Sequence, residues 1–246
     1  MMLVRYLSQI GKYFLMLKEV FNKPTKWSVM KQLILKEIDD LIIDSLGIVA
    51  FISFFVGGVV SIQTALNLTN PLIPKYLIGF ATRQSIVLEF APTFISIIMA
   101  GKMGSFITSS IGTMRVTEQI DALEIMGVNS SSFLILPKII ASVIINPFLV
   151  IISMFVSIGG GYMIAMFTDI VSVSDYVYGI QLDFRPYHVV YSLSKAAVFA
   201  FIFTSVPAYQ GYFAAGSALE VGKASTRGVV QSSIIILVAN YLITQL

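Results

Sequence analysis

Four long stretches of this chain carry no charge. Residues 45–74, 139–168, 196–219 and 228–246 contain no Asp, Glu, Lys or Arg. They are continuously apolar where barrel strands would alternate, so they read as membrane-spanning helices. A helix needs about 20 residues to cross the hydrocarbon core. The pattern predicts spans at about 45–67, 84–112, Phe133 to just before Asp169, 188–212 and 228–246. The third is longer than one crossing needs, so it is expected to tilt, kink near Pro147 or extend past the bilayer. Asn70-Pro71 and Pro74 mark one external loop, and residues 169–186, with Asp169, Asp175 and Asp183, mark another. A cytoplasmic loop holding Glu220, Lys223 and Arg227 is expected before the last span, and Pro207 is expected to bend the fourth.

Two amphipathic segments precede the spans. Over residues 3–23, Leu3, Leu7, Ile10, Phe14, Leu17 and Phe21 share one face, and Arg5, Ser8, Lys12, Glu19 and Lys23 share the other. That segment, 1–24 with Pro24 as its stop, suits a helix lying in the membrane interface. Residues 28–44 follow as an elbow helix, with Ser28 as its expected cap. Met30, Ile34, Ile38 and Leu41 there alternate with Lys31, Lys36, Asp39 and Asp40. The predicted fold class is an all-α polytopic membrane protein, a single domain over 1–246, with an interfacial helix, an elbow helix and five transmembrane helices in residues 45–246.

Composition agrees. The chain is 57% hydrophobic and 12% charged, about half the charge of a soluble domain, and its mean hydropathy is +0.87. Seven of the 16 basic residues fall within the first 36 positions, against one acid, Glu19. That bias places the N-terminus in the cytoplasm, and five crossings then leave the C-terminus in the periplasm. No cleavable leader is expected. Cysteine is absent, which excludes disulfides and thiolate metal sites.

One polar run interrupts the apolar pattern. In 114–127, Thr117, Asp121 and Glu124 recur at helical spacing, as do Val116, Ile120 and Leu123, and Gly127 follows as a stop. A single helix over 114–127 is expected. Its acids Glu118, Asp121 and Glu124 with anchors Val116, Ile120 and Leu123 fit docking into a partner's groove; an ordinary solvated loop helix has the same pattern. Arg115 fits an interfacial anchor as well as a partner contact.

The run MRVTEQIDALEIMGV, with Pro137-Lys138, Gly211-Tyr212 and Ala224-Ser-Thr-Arg227, resembles the MlaE/YrbE family of ABC-transporter permeases, which work with MCE-domain proteins in lipid transport. The resemblance covers nearly the whole chain. It implies a homodimer in the bacterial inner membrane, with a cytoplasmic ABC ATPase on each copy and a periplasmic MCE-domain protein. It implies that ATP is bound by that ATPase and that this chain holds no cofactor; with no cysteine and a lone histidine, no metal site is expected. Arg115, Glu118, Gln119, Asp121, Leu123 and Glu124 would form the ATPase-coupling helix. Val60, Gln63, Leu66, Asn67 and Leu68 would line a phospholipid cavity, and Glu89 and Lys195 match the family's intramembrane charges. The chain departs from the family's usual pattern at Leu88-Glu89-Phe90-Ala91-Pro92, at Ser110, at Asn129-Ser130 and at Lys138.

The residues themselves leave alternatives. Gln63 and Asn67, one turn apart, suit a lipid headgroup contact or bonds within the bundle. Glu89 and Lys102 lie 13 residues apart, roughly 20 Å along a helix, so Lys195 is the better partner for Glu89; snorkelling is the alternative for Lys195 and Lys102. Small residues four apart at Gly57/Ser61/Ala65, Gly101/Ser105/Ser109 and Ser157/Gly161/Ala165 predict close helix packing. Tyr176, Tyr178, Tyr187 and Tyr191 suit an aromatic belt, and lone His188 an interfacial position. No phosphate-binding loop, HExxH motif or nucleophile elbow is present, so enzyme activity is not expected. The expected function is the permease subunit of an ATP-driven phospholipid transporter. The alternative is an ion-coupled secondary transporter or channel using Glu89 and Lys195.

Overall fold

The computed structural model describes the backbone of residues 2–22, 26–68, 70 and 72–245, and the side chains of these except 2–6 and 41–44. The interfacial helix α1 spans Met2–Phe21; Lys23 and Pro24 lie outside the described residues. α1 has two apolar faces. Leu7, Ile10, Phe14 and Phe21 are exposed, as a helix bedded in lipid requires, whereas Met16 and Val20, one turn apart, are buried. Tyr13 bonds the Ser205 hydroxyl at 2.7 Å. Burial raises the Tyr13 pKa, while the bond to Ser205 pulls it down.

The elbow and the first span are one helix, α2, Trp27–Asn67. Ser28 therefore lies inside the helix and is not its cap. Nothing between Met30 and Ser45 can break a helix: no Gly or Pro occurs there, and Lys, Glu and Asp change its polarity without changing its backbone. Its 41 residues measure about 60 Å, twice the hydrocarbon thickness. The second span also starts earlier than expected. α3 (Tyr76–Ser85) continues through a π-helical segment, Ile86–Phe94, into α4 (Ile95–Val116). The π segment contains Pro92, which has no N–H to give.

The expected helix over 114–127 is broken. α4 ends at Val116 and α5 covers only Gln119–Ile125, because Glu118 adopts the left-handed conformation, φ 59°. α6 follows over Ser130–Phe167. The second segment expected to be external contains a helix, α7, Val173–Gln181, capped by Ser172. α8 spans Pro186–Tyr212 and α9 spans Ala218–Thr244. Glu220, Lys223 and Arg227 thus belong to α9 and not to a loop. Among the described residues, five helices are long and apolar enough to cross a membrane.

The chain forms two compact units. One comprises residues 42–95 and 146–197. Within it α2 and α6 approach backbone to backbone: a Cβ on Gly57 would overlap the Ser157 carbonyl, and one on Gly160 the Phe54 carbonyl. Two of the three predicted small-residue stripes meet here. Ser53 donates to Ser153 at 2.8 Å, and Ser61 lies 3.5 Å from the Tyr176 hydroxyl. A Cβ added to Gly101 would meet no neighbouring element within 4 Å. α3 and α7 pack as closely, through Gly79 and Gly179. Buried Arg83 donates to the carbonyls of Ile180 and Leu182 at the end of α7.

The other unit comprises residues up to 41, 96–145 and 198–246. There Thr108 donates to the Pro207 carbonyl at 2.9 Å, Gln210 to Gln231 at 2.7 Å, and Lys138 on α6 pairs with Glu37 on α2.

Overpacking a tight site costs about 1–3 kcal/mol. Gly160→Ala is therefore expected to lower the melting temperature in detergent. Its neighbour Gly159, with no atom within 4 Å of an added Cβ, should accept alanine without loss. Equal effects at the two positions would refute the packing.

Candidate functional site

Residues 115–130 form one polar knot. Glu118 in the left-handed region is costly for a residue with a Cβ, of order 1–2 kcal/mol, so surrounding contacts have to fix it. They do. Arg115 on the last turn of α4 donates to Asp121 on the first turn of α5 at 2.7 Å, bracing the turn from both sides. The Glu118 carbonyl accepts from Ala122 N–H at 3.0 Å and starts α5. At the far end Gly127 has φ 77°. Gly127 N–H donates to the Glu124 carbonyl at 2.9 Å and Val128 N–H to the Leu123 carbonyl at 3.0 Å. That pair of bonds is a Schellman closure, so the stop expected at Gly127 is present.

Glu124 ties this short helix to its supports. Its Oε1 accepts from Ser130 Oγ at 2.8 Å and from Tyr212 Oη at 3.1 Å, and the two hydroxyls lie 2.8 Å apart. Two protons serve three short contacts, a mutually polarised arrangement. Tyr212 ends α8, so α5 is joined to α6 and α8.

The exposed face differs from the expected one. Ile120 is fully buried in its own chain, and Leu123 and Val116 are half-buried. The apolar residues on offer are Ile125, 87% exposed, and Met126, 69% exposed, bordered by exposed Glu118, Gln119, Asp121 and Glu124. Periodicity missed them because it ran a single helical phase through Glu118, where the chain turns. The hydrophobic pair directly before Gly127 was the available signal.

In the other unit, Lys195 is fully buried and its Nζ lies 3.1 Å from Glu89 Oε1, whose side chain is 40% exposed. Lys195 Nζ also donates to the Leu88 carbonyl at 3.2 Å and lies over the Tyr191 ring. In α-helical register that carbonyl would face Pro92, which cannot donate. Lys195 therefore holds the π segment as well as Glu89.

The five first-span residues do not share one surface. Val60 is buried, Gln63, Leu66 and Asn67 are exposed, and Leu68 packs against the cluster of Ala65, Ile78, Ala165, Val171 and Tyr176. A wholly apolar hollow of about 350 Å³ lies on a neighbouring face of α2, between Phe54, Val59, Ile62, Met163 and Phe167.

The buried partner decides the cost of breaking the Glu89–Lys195 pair. Glu89→Leu leaves a buried ammonium without its carboxylate and is expected to cost roughly 3 kcal/mol or more. Lys195→Met leaves a half-exposed carboxylate and should cost less, with the double change recovering much of the loss. Thermal unfolding of the three purified variants checks this; the reverse order would contradict it.

Residues 34–246 match the family described as Permease MlaE. A probable ABC transporter permease protein of Rickettsia bellii is 34% identical over 243 residues, covering 99% of this chain and 93% of that one. The intermembrane phospholipid transport system permease protein MlaE of Haemophilus influenzae is 26% identical, covering 99% of this chain and 97% of its own. The chloroplastic protein TRIGALACTOSYLDIACYLGLYCEROL 1 of Arabidopsis thaliana is 31% identical, over 81% of this chain and 57% of its own length. The five membrane-spanning helices and the length of these matches agree that the chain belongs to the MlaE permease family.

Proposed function

We propose that this chain is the permease subunit of an ATP-driven ABC transporter in a bacterial inner membrane, moving phospholipid between that membrane and a periplasmic MCE-domain protein. Family membership supports the transporter subunit, and the name of the Haemophilus relative supports the lipid. In this reading ATP is bound and hydrolysed by a separate cytoplasmic ATPase, the chain's N-terminus is cytoplasmic and its C-terminus periplasmic. The observation that carries the reading is the knot at 115–130: an exposed Ile125–Met126 knob on a helix fixed at both ends.

Magnitudes indicate what would hold the motor. Burying Ile125 and Met126 in a groove contributes about 1.5–3 kcal/mol each. Exposed ion pairs made by Glu118 or Asp121 contribute about 1 kcal/mol or less. The knob supplies the affinity, and the acids orient the approach. Because Arg115, Glu124 and the Schellman closure stiffen the segment, a push on α5 reaches α4 and α6 with little lost in bending.

Two copies would complete the lipid path. α9 leaves Val230, Ile234, Leu237, Val238 and Tyr241 exposed on one face, a stripe that a second copy would cover. Acyl chains would lie against apolar walls such as Leu66 and the hollow beside Val59, where contact depends on area and hardly on chain identity. Gln63 and Asn67, exposed at the end of α2, would meet the headgroup. Nothing favours the ion-coupled alternative, since the Lys195 ammonium is held by Glu89 and the Leu88 carbonyl.

Ile125→Asp is expected to remove the ATPase from the purified transporter, at least 10-fold by stoichiometry, if burial contributes as above. Permease yield should stay unchanged. Glu118→Lys should weaken retention less. An Ile125→Asp permease that kept its ATPase in full would overturn the docking assignment.

A further inference from the structure

Asn129 sits between two helix ends and serves both. Its Oδ1 accepts from Ser132 N–H at 3.2 Å, which caps the start of α6. Its Nδ2 donates to the carbonyls of Glu19 at 3.1 Å and Asn22 at 2.9 Å, at the end of α1. The Glu19 carbonyl also accepts from Asn22 N–H at 3.1 Å, so Asn129, 110 and 107 positions away, adds a second bond to it and reaches the Asn22 carbonyl just past the end of α1. The partners also fix the amide's orientation: two carbonyls need the NH2 side and an N–H needs the oxygen. Ser131 adds a long contact, 3.5 Å, to the Glu19 carboxylate. On the other side, Asn129 stands two residues after Gly127 and next to Ser130, which holds Glu124.

We infer that Asn129 is the joint that makes the interfacial helix α1 and the segment 118–130 move as one piece. A displacement of α5 then reaches not only α4 and α6 but also the lipid-facing stripe of Leu7, Ile10, Phe14 and Phe21. The interfacial helix becomes a second output of the motor, acting on the membrane surface beside the transport path. This rests on reading 118–126 as the docking segment. Asn129 is a positioning residue: it acts through the ends of α1 and α6, and only an amide does what it does. A carboxylate would cap α6 equally well, yet it cannot donate, and it would set a negative charge against the negative end of the α1 dipole.

The absence of cysteine makes the test direct. Spin labels on cysteines placed at exposed Lys18 and Ala122 report the distance between α1 and α5 in the full-length protein. With Asn129 intact, one narrow population is expected. Asn129→Asp keeps the α6 cap but loses two hydrogen bonds, which should shift the ratio of joined to separated α1 by about 10-fold. Asn129→Ser, a capping residue without charge, should broaden the distribution in the same way. Unchanged distributions in both variants would overturn the joint.

The second readout uses the ATPase-bound transporter with a fluorescent phosphatidylethanolamine as cargo. Lipid moved per ATP hydrolysed should fall in Asn129→Asp while hydrolysis continues. Equal loss of both would mean a merely structural role and would overturn the transmission. If Ile125→Asp retains its ATPase, the docking reading fails instead, and the distance measurement still decides the joint.

Discussion

Glu124 accepts two hydroxyl protons, from Ser130 and Tyr212, and so knots the polar segment 115–130 to the ends of two membrane helices. Without that bond α5 would be a seven-residue helix, far too short to persist alone. With it, and with the Arg115–Asp121 brace and the closure at Gly127, α5 becomes a fixed projection. Its exposed knob then has a defined direction, and a force applied there has somewhere to go. Asn129 extends the same rigid piece to the interfacial helix.

The apolar bundle meets a different constraint. Lipid offers no hydrophobic gain when two helices meet, so close backbone approach and hydrogen bonds between them have to hold the bundle. Gly57 and Gly160 provide the approach between α2 and α6, and the Ser53–Ser153 bond adds direction. Gly79 and Gly179 do the same for α3 and α7. The π segment is a local exception. Pro92 disturbs its register, and buried Lys195 supplies a donor to the Leu88 carbonyl and a cation to Glu89.

Much of this was legible in the order of residues. Charge-free runs located four of the five membrane helices, since a bilayer leaves few other solutions. Separation along a helix excluded Lys102 as partner for Glu89 and pointed to Lys195, which the structure places beside it. Gly127 marked its helix end. What stayed hidden depends on backbone turns and on polarity that hides helix. Glu118 carries no residue-type signal for a left-handed turn, so one helical phase was drawn through it and Ile120 was mistaken for an exposed anchor. The charges of 28–44 suggested an element boundary where α2 simply leaves the apolar layer, and Glu220, Lys223 and Arg227 hid the start of α9 in the same way. The helix α7 did have a signal, Ser172 three residues before Asp175, but its acids and tyrosines read as loop. A lipid-lining set was readable only through the family resemblance, and its residues differ in exposure: Val60 is buried, Gln63, Leu66 and Asn67 are exposed, and Leu68 lies past the end of α2.

The coupling role of the knot depends on which side of the membrane it occupies and on what covers it. A single cysteine at Ile125, in an otherwise cysteine-free protein, can be probed with a membrane-impermeant thiol reagent in vesicles of either orientation. Labelling is expected only from the cytoplasmic side, and bound ATPase should suppress it. Labelling from the periplasmic side, or labelling that bound ATPase leaves untouched, would contradict the account.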